Sequence, residues 1–159
     1  MGKAGSSRGD YTASEDDNVL VEGITSDPNA LGYFGIAYYE QNKDKLKLIA
    51  IDDENSLNGD GPIYPSAQTV KNSTYQPLAR PIFIYVSTKA AKRESVRKFV
   101  EFYLKNASTL VEEVGYIPLH EETYESAWQR FQNNVTGSVF ASRGSNLGIS
   151  MTDLLRMRK

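Results

Sequence analysis

Apolar positions along the chain fall into runs separated by turn signals, and residues 27–52 hold the most informative of them. Asp27-Pro28-Asn29 signals a turn, Ala30 through Ile36 is mostly apolar, and Tyr38-Tyr39 follows. A charged connector over residues 41–45 leads into the alternating Leu46-Lys47-Leu48-Ile49-Ala50-Ile51. The pattern predicts strand, short helix, strand, with a cleft-edge strand as the sharper reading of the same residues. Gly32 and Gly35 inside the apolar run point to a close backbone approach or a bend, because a strand otherwise gains nothing from losing a side chain.

Residues 82–86, Ile-Phe-Ile-Tyr-Val, read as the strongest strand: every side chain is β-branched or aromatic and none is charged. Such a run is expected to be covered on both faces in a parallel or mixed sheet. Helical signals surround it. Ser14 is placed to cap a short helix with Glu15, Asp16 and Asp17 in its first turn, and Pro28 ends it. Ser66 is placed to cap a short helix over residues 66–73, followed by an extended segment with two prolines. Further helices are expected over 89–92 and over 94–106, the latter with Val96, Phe99, Val100, Phe102 and Tyr103 on a wide apolar face. Two more are expected over 108–114, ended by Gly115, and over 121–134 with Tyr124, Ala127, Trp128 and Phe131 at helical spacing. Ser150 is placed to cap a last turn over residues 152–158. The acidic, glycine-bearing segment 52–62 fails the calcium-loop pattern: with Glu54 first and Gly59 in place, Pro65 stands where the bidentate Glu belongs. It reads as a solvated hairpin or loop.

Composition narrows the chemistry more than the fold. The 159 residues are 40% hydrophobic and 24% charged, ordinary for a globular chain. No run approaches the length needed to span a bilayer, and the first residues carry no apolar core of a secretory signal. Without cysteine, disulfides, thiol catalysis and zinc-thiolate sites are excluded. The net charge of −2 divides unevenly, with six Lys/Arg against twelve Asp/Glu in residues 1–79 and twelve against eight in residues 80–159. The later cations are mixed with carboxylates along helices, so nucleic-acid binding is not expected. His120 is the single histidine, which rules out a multi-histidine metal site and leaves a Ser-His-Asp arrangement resting on one residue. Beside Glu121 and Glu122 at a helix start, it reads as a surface or capping residue. No phosphate-cradling GxxxxGK[ST] is present. The expectation is a non-enzyme with no catalytic residue, metal site or cofactor.

Four stretches, taken together, carry a resemblance: GKAGSSRGDYTASEDDNVLVEGI, DPNALGYFGIAYYEQNKDKLKLIAID, YQPLARPIFIYVS and VRKFVEFYLKNASTLVEEVGYIPL. In that order they resemble the C-terminal half of the phosphate-binding protein of bacterial ABC phosphate transporters, most of all the cyanobacterial type. The resemblance implies an α/β periplasmic-binding-protein-like fold of the second type. It would be incomplete here, with parts of two α/β lobes and mixed sheets. Residues 1–79 would be the remainder of lobe two and residues 80–159 the returning part of lobe one. It also implies inorganic phosphate as ligand, an ABC permease as partner and a periplasmic location, although no signal peptide is read in this chain.

The family grips its anion with hydroxyls and amides of the first lobe and with an Arg-x-Asp-x-Ser-Gly-Thr-like motif at a helix start, a design suited to anions. Neither part is found here, and Ser6, Ser7 and Arg8 do not reproduce the motif's spacing. No ligand residue is therefore carried over. Ser14, Asn18 and Tyr33 are placed at the cleft rim. The expected function is the phosphate-binding component of an uptake system, as a truncated chain that binds weakly or not at all by itself. The alternative is an interaction half-module that forms a homo-oligomer or pairs with a separate N-terminal half.

Overall fold

Short apolar stripes set the helices of this protein, and three of the described helices begin at a side-chain cap. The computed structural model describes residues 9–138, 140 and 150–156, which belong to two units, Met1–Leu48 and Ile49–Lys159.

In the first unit, α1 (Asp17–Ser26) is capped by Asp16, whose Oδ1 accepts the Asn18 N–H at 3.0 Å. Ser14 acts one step earlier than expected, its Oγ accepting the Asp16 N–H at 3.0 Å. Both bonds satisfy donors at a helix start, and Asp17 in the first turn complements the helix dipole. After α1, the Asn29 N–H bonds the Asp27 carboxylate and the Ala30 N–H bonds the Asp27 carbonyl, which makes the turn read from Asp27-Pro28-Asn29. Gly32 then passes close to α1: a Cβ on it would collide with Cδ1 of Ile24. Of the glycine pair, Gly32 makes the expected close approach, whereas a Cβ on Gly35 would meet only ordinary contacts. Gly35 precedes α2 (Ile36–Gln41), which packs with α1 where Val21 and Ala37 are buried.

The second unit opens with one antiparallel bridge, Ile51 to Ile63, closed by N–H···O bonds of 2.9 and 2.8 Å. The loop it spans bends through Gly59 (φ +137°) and Gly61 (φ +73°), conformations that favour glycine. Ser66 caps α3 (Ala67–Lys71) in a capping box with Thr69. A 3₁₀ turn (Ala90–Lys92) leads into α4 (Glu94–Lys105), followed by α5 (Ala107–Glu113), α6 (Glu121–Gln132) and α7 (Met151–Arg156). Gly115, at φ +79°, ends the α5 region as a left-handed stop, its N–H bonding the Glu112 carbonyl. Helix α4 packs on α6, and α6 on α7. Val100 of α4 is 2% exposed at this core. On α6, Trp128 stacks on Phe131 at 5.7 Å, and the Arg97 guanidinium lies 5.9 Å from the Phe131 ring.

The expectation of an α/β fold with mixed sheets is corrected. The regular structure of the described residues is helical with no sheet, and the Ile51–Ile63 bridge is isolated. Residues 30–35 and 46–50 form no ladder, and residues 82–86 form no strand. The reason is physical. A helix closes its hydrogen bonds within itself, whereas a strand forms only when a neighbour presents a complementary edge. The β-prone residues are present, but no described segment supplies that edge.

Candidate functional site

Two places concentrate polar groups, one in each unit. In the first, two of the expected rim residues bond to Asp16, Asn18 to its carboxylate and Ser14 to its backbone amide. Asp16 Oδ1 accepts both the Asn18 N–H at 3.0 Å and the Asn18 side-chain amide at 2.9 Å, while Ser14 Oγ accepts the Asp16 N–H. Glu15 and Asp17 flank this group. The donors at the start of α1 are therefore turned to a carboxylate, and three adjacent acids give the spot a negative field that disfavours a phosphate. Tyr33 is exposed and hydrogen-bonds to neither residue. The structure links Ser14 and Asn18 through Asp16 and leaves Tyr33 outside their network. Ser6, Ser7 and Arg8 lie outside the described residues.

In the second unit, an open depression of about 530 Å³ is lined by His120, Glu121, Glu122 and Thr152. His120 stands at the N-cap position of α6, where its carbonyl accepts the Thr123 N–H at 2.9 Å. Its Nε2 lies 3.1 Å from the carbonyl oxygen of Lys71, and the Lys71 ammonium lies 3.7 Å from Glu112. The hydroxyls of Thr123 and Thr152 bond each other at 2.8 Å. The imidazole thus faces a carbonyl rather than a nucleophile, and the hydroxyls are occupied with one another. This arrangement lacks the nucleophile–base contact that covalent catalysis requires. Among the described residues no group of three or more His, Asp or Glu is placed to hold a metal ion. Glu121 and Glu122 favour the positive end of α6 and make the depression unsuited to an anion.

Neither the Lys71–His120 contact nor the Thr123–Thr152 pair was visible in the sequence, because they join residues 49 and 29 positions apart. No local spacing rule reports such pairs.

Comparison with known proteins decides the kinship. The chain is 53% identical over 149 residues to Protein SphX of Synechococcus elongatus, covering 94% of this chain and 43% of that protein. It is 47% identical over 157 residues to Protein SphX of Synechocystis sp., covering 98% of this chain and 45% of that one. The chain is homologous to SphX. The Phosphate-binding protein PstS of Staphylococcus aureus is also similar, 40% identical over 112 residues, or 70% of this chain and 33% of PstS. The resemblance read from the four ordered stretches is borne out by these relatives. The chain spans less than half the length of the relatives it matches. No family model matches, and no solved structure does. Among the described residues no helix is long and apolar enough to cross a membrane.

Proposed function

We propose that this chain is part of the phosphate-binding component of an ABC-type uptake system, acting at the periplasmic side with a membrane permease and catalysing no reaction. The observation that carries the reading is its similarity to PstS, a protein named for phosphate binding, along 70% of the chain. In this reading residues 1–79 belong to one lobe of the receptor and residues 80–159 to the other, with Ser14, Asn18 and Tyr33 at the rim of the cleft between lobes. The chain forms a wall of the site and not its grip. That view is supported by the engagement of Ser14 and Asn18 with Asp16 and by the acids lining the depression at α6. Gripping a phosphate dianion calls instead for converging amides, hydroxyls and guanidinium groups.

Isothermal titration with inorganic phosphate tests this. The chain alone is expected to give no saturable heat up to phosphate concentrations of about 1 mM, where binding is worth only about 4 kcal/mol. Micromolar binding by the chain alone would reject the wall-not-grip reading. Co-purified with the part of SphX outside the match, it is expected to bind phosphate at micromolar or lower concentrations; no binding there would reject phosphate itself.

A second reading, an interaction half-module that self-associates or pairs with a separate N-terminal half, is favoured by one observation. Large apolar side chains between Ile82 and Tyr85 stand exposed, which is unusual for a chain that works alone.

A further inference from the structure

Asn58 combines a reactive neighbour with a constrained side chain. It is followed by Gly59, and no other asparagine in the chain precedes a glycine. Gly59 has no side chain to hinder its peptide nitrogen, and among the described residues its N–H makes no hydrogen bond. Leu57 and Asp60, which flank the pair, are exposed, so water reaches the loop. Asparagine is a chemically labile residue, and these conditions favour closure of its side chain on the next peptide nitrogen.

The side-chain amide, by contrast, is held. Its Nδ2 donates to Asp53 Oδ2 at 2.9 Å and, at the longer distance of 3.4 Å, to the Thr74 carbonyl. Its Oδ1 is buried and among the described residues has no hydrogen-bond partner. Thr74 precedes the buried Tyr75, whose N–H bonds the Thr69 carbonyl. The amide thus ties the 52–62 loop, closed at its base by the Ile51–Ile63 bridge, to the segment after α3.

Two consequences follow from these contacts. Ring closure turns the planar amide carbon tetrahedral and expels Nδ2, so both bonds of Nδ2 must break on the way. A carboxylate in place of the amide would set an oxygen where Nδ2 now stands, facing Asp53, and leave its other oxygen buried without a donor. Like charges at that distance repel, and a buried charge without a partner is strongly destabilising.

We infer that Asn58 is a site of spontaneous deamidation, braked by Asp53, and that its conversion frees the 52–62 loop from Thr74. The Gly59 nitrogen bonds to Cγ of Asn58, the Cγ–Nδ2 bond breaks, and the Gly59 N–H proton leaves with Nδ2 as ammonia. One water then opens the succinimide at either carbonyl, giving aspartate or isoaspartate. One water is taken up and one ammonia released, with no oxidation or reduction. The inference is independent of the ligand proposed above.

The test incubates the folded chain in mildly alkaline buffer and follows each asparagine by peptide mass mapping. Asn58 is expected to convert ahead of every other asparagine. Asp53→Ala is expected to speed that conversion about tenfold, the worth of one hydrogen bond to a charged group. Asp53→Asn, which keeps an acceptor oxygen, is expected to stay nearer the wild-type rate. Asn58→Asp is expected to lower the urea midpoint and to raise amide exchange across the 52–62 loop and at Tyr75 about tenfold. Adding Asp53→Asn to that variant is expected to restore both, because the facing charges are gone. Survival of Asn58 after other asparagines have converted would overturn the site. An unchanged rate in an Asp53→Ala chain that keeps its helices by circular dichroism would overturn the brake. Should that variant unfold, the wild-type rate is compared with and without urea, and equal rates would overturn the brake. Wild-type exchange in Asn58→Asp, or a loss that Asp53→Asn fails to restore, would overturn the release of the loop.

Discussion

The hydroxyls of Thr123 and Thr152 lie 2.8 Å apart and tie α6 to α7. Thr123 is 3% exposed and Thr152 is half-buried, so the two ends of this bond are not equivalent. Thr123→Val keeps the shape of the buried side chain and leaves Thr152 able to turn toward water. It is expected to cost about 1 kcal/mol. Thr152→Val instead strands the buried Thr123 hydroxyl without a partner and is expected to cost more, about 2 kcal/mol. The double variant should fall close to Thr123→Val alone. Urea unfolding followed by fluorescence of the single Trp128 measures all three, and additive costs would show that the bond contributes nothing.

Two glycines are expected to respond to alanine with opposite signs. Gly59 sits at φ +137°, and a Cβ there would lie 2.9 Å from Cδ1 of Ile63. Gly59→Ala is expected to destabilise the second unit by about 1–3 kcal/mol through backbone strain. Gly23 lies inside α1 with nothing within 4 Å of an added Cβ. Gly23→Ala is expected to stabilise that helix by about 0.5–1 kcal/mol, since alanine loses less backbone entropy. Urea titration with Trp128 fluorescence reads the first change, and amide hydrogen exchange in α1 reads the second.

The sequence was most informative where structure is made by neighbours. The Ser66 cap, the Gly115 stop, the helix carrying Trp128 and Phe131 and the Ser150 cap of α7 all arise from groups within a few positions of one another. The cap of α1 moved from Ser14 to Asp16 because both offer an oxygen acceptor, and only the backbone decides which one stands at the first turn. The expected sheet failed for the opposite reason. Residues 82–86 have every local property of a strand, but pairing is a property of two segments, and no described segment pairs with them. The site follows the same rule. Ser14 and Asn18 both bond to Asp16 because all three lie at one helix start, whereas Tyr33 stands 15 residues beyond Asn18 with no local geometry linking it to them.

Packing between α4 and α6 gives a third expectation. Val100 is the most buried of the apolar core side chains named for this unit, at 2% exposed. Phe99 and Phe102 on the same helix are exposed. Val100→Ala removes two methylene equivalents from a packed site and is expected to cost about 2 kcal/mol, transfer and cavity terms together. Phe99→Ala, which removes more carbon from a largely wet position, is expected to cost less than about 1 kcal/mol in the isolated chain. The order of the two urea midpoints is the measurement. A larger loss for Phe99→Ala would mean that this ring is buried in solution.

Tyr75 supplies the pH dependence. Its side chain is buried, and desolvation raises its pKa above the ordinary value of 10.0. Below pH 10 the phenol is protonated in both folded and unfolded chains, so the preference for the neutral form is fully present. As pH rises past 10, the unfolded phenol ionises while the buried one holds its proton. The unfolded state then binds fewer protons than the folded state, and stability falls with rising pH until the folded pKa is passed. The informative quantity is the difference from Tyr75→Phe. That variant has no proton to lose and is expected to decline less steeply between about pH 10 and 11. Equal slopes in urea unfolding across this interval would mean that the Tyr75 phenol is as well solvated in the folded chain as in the unfolded one.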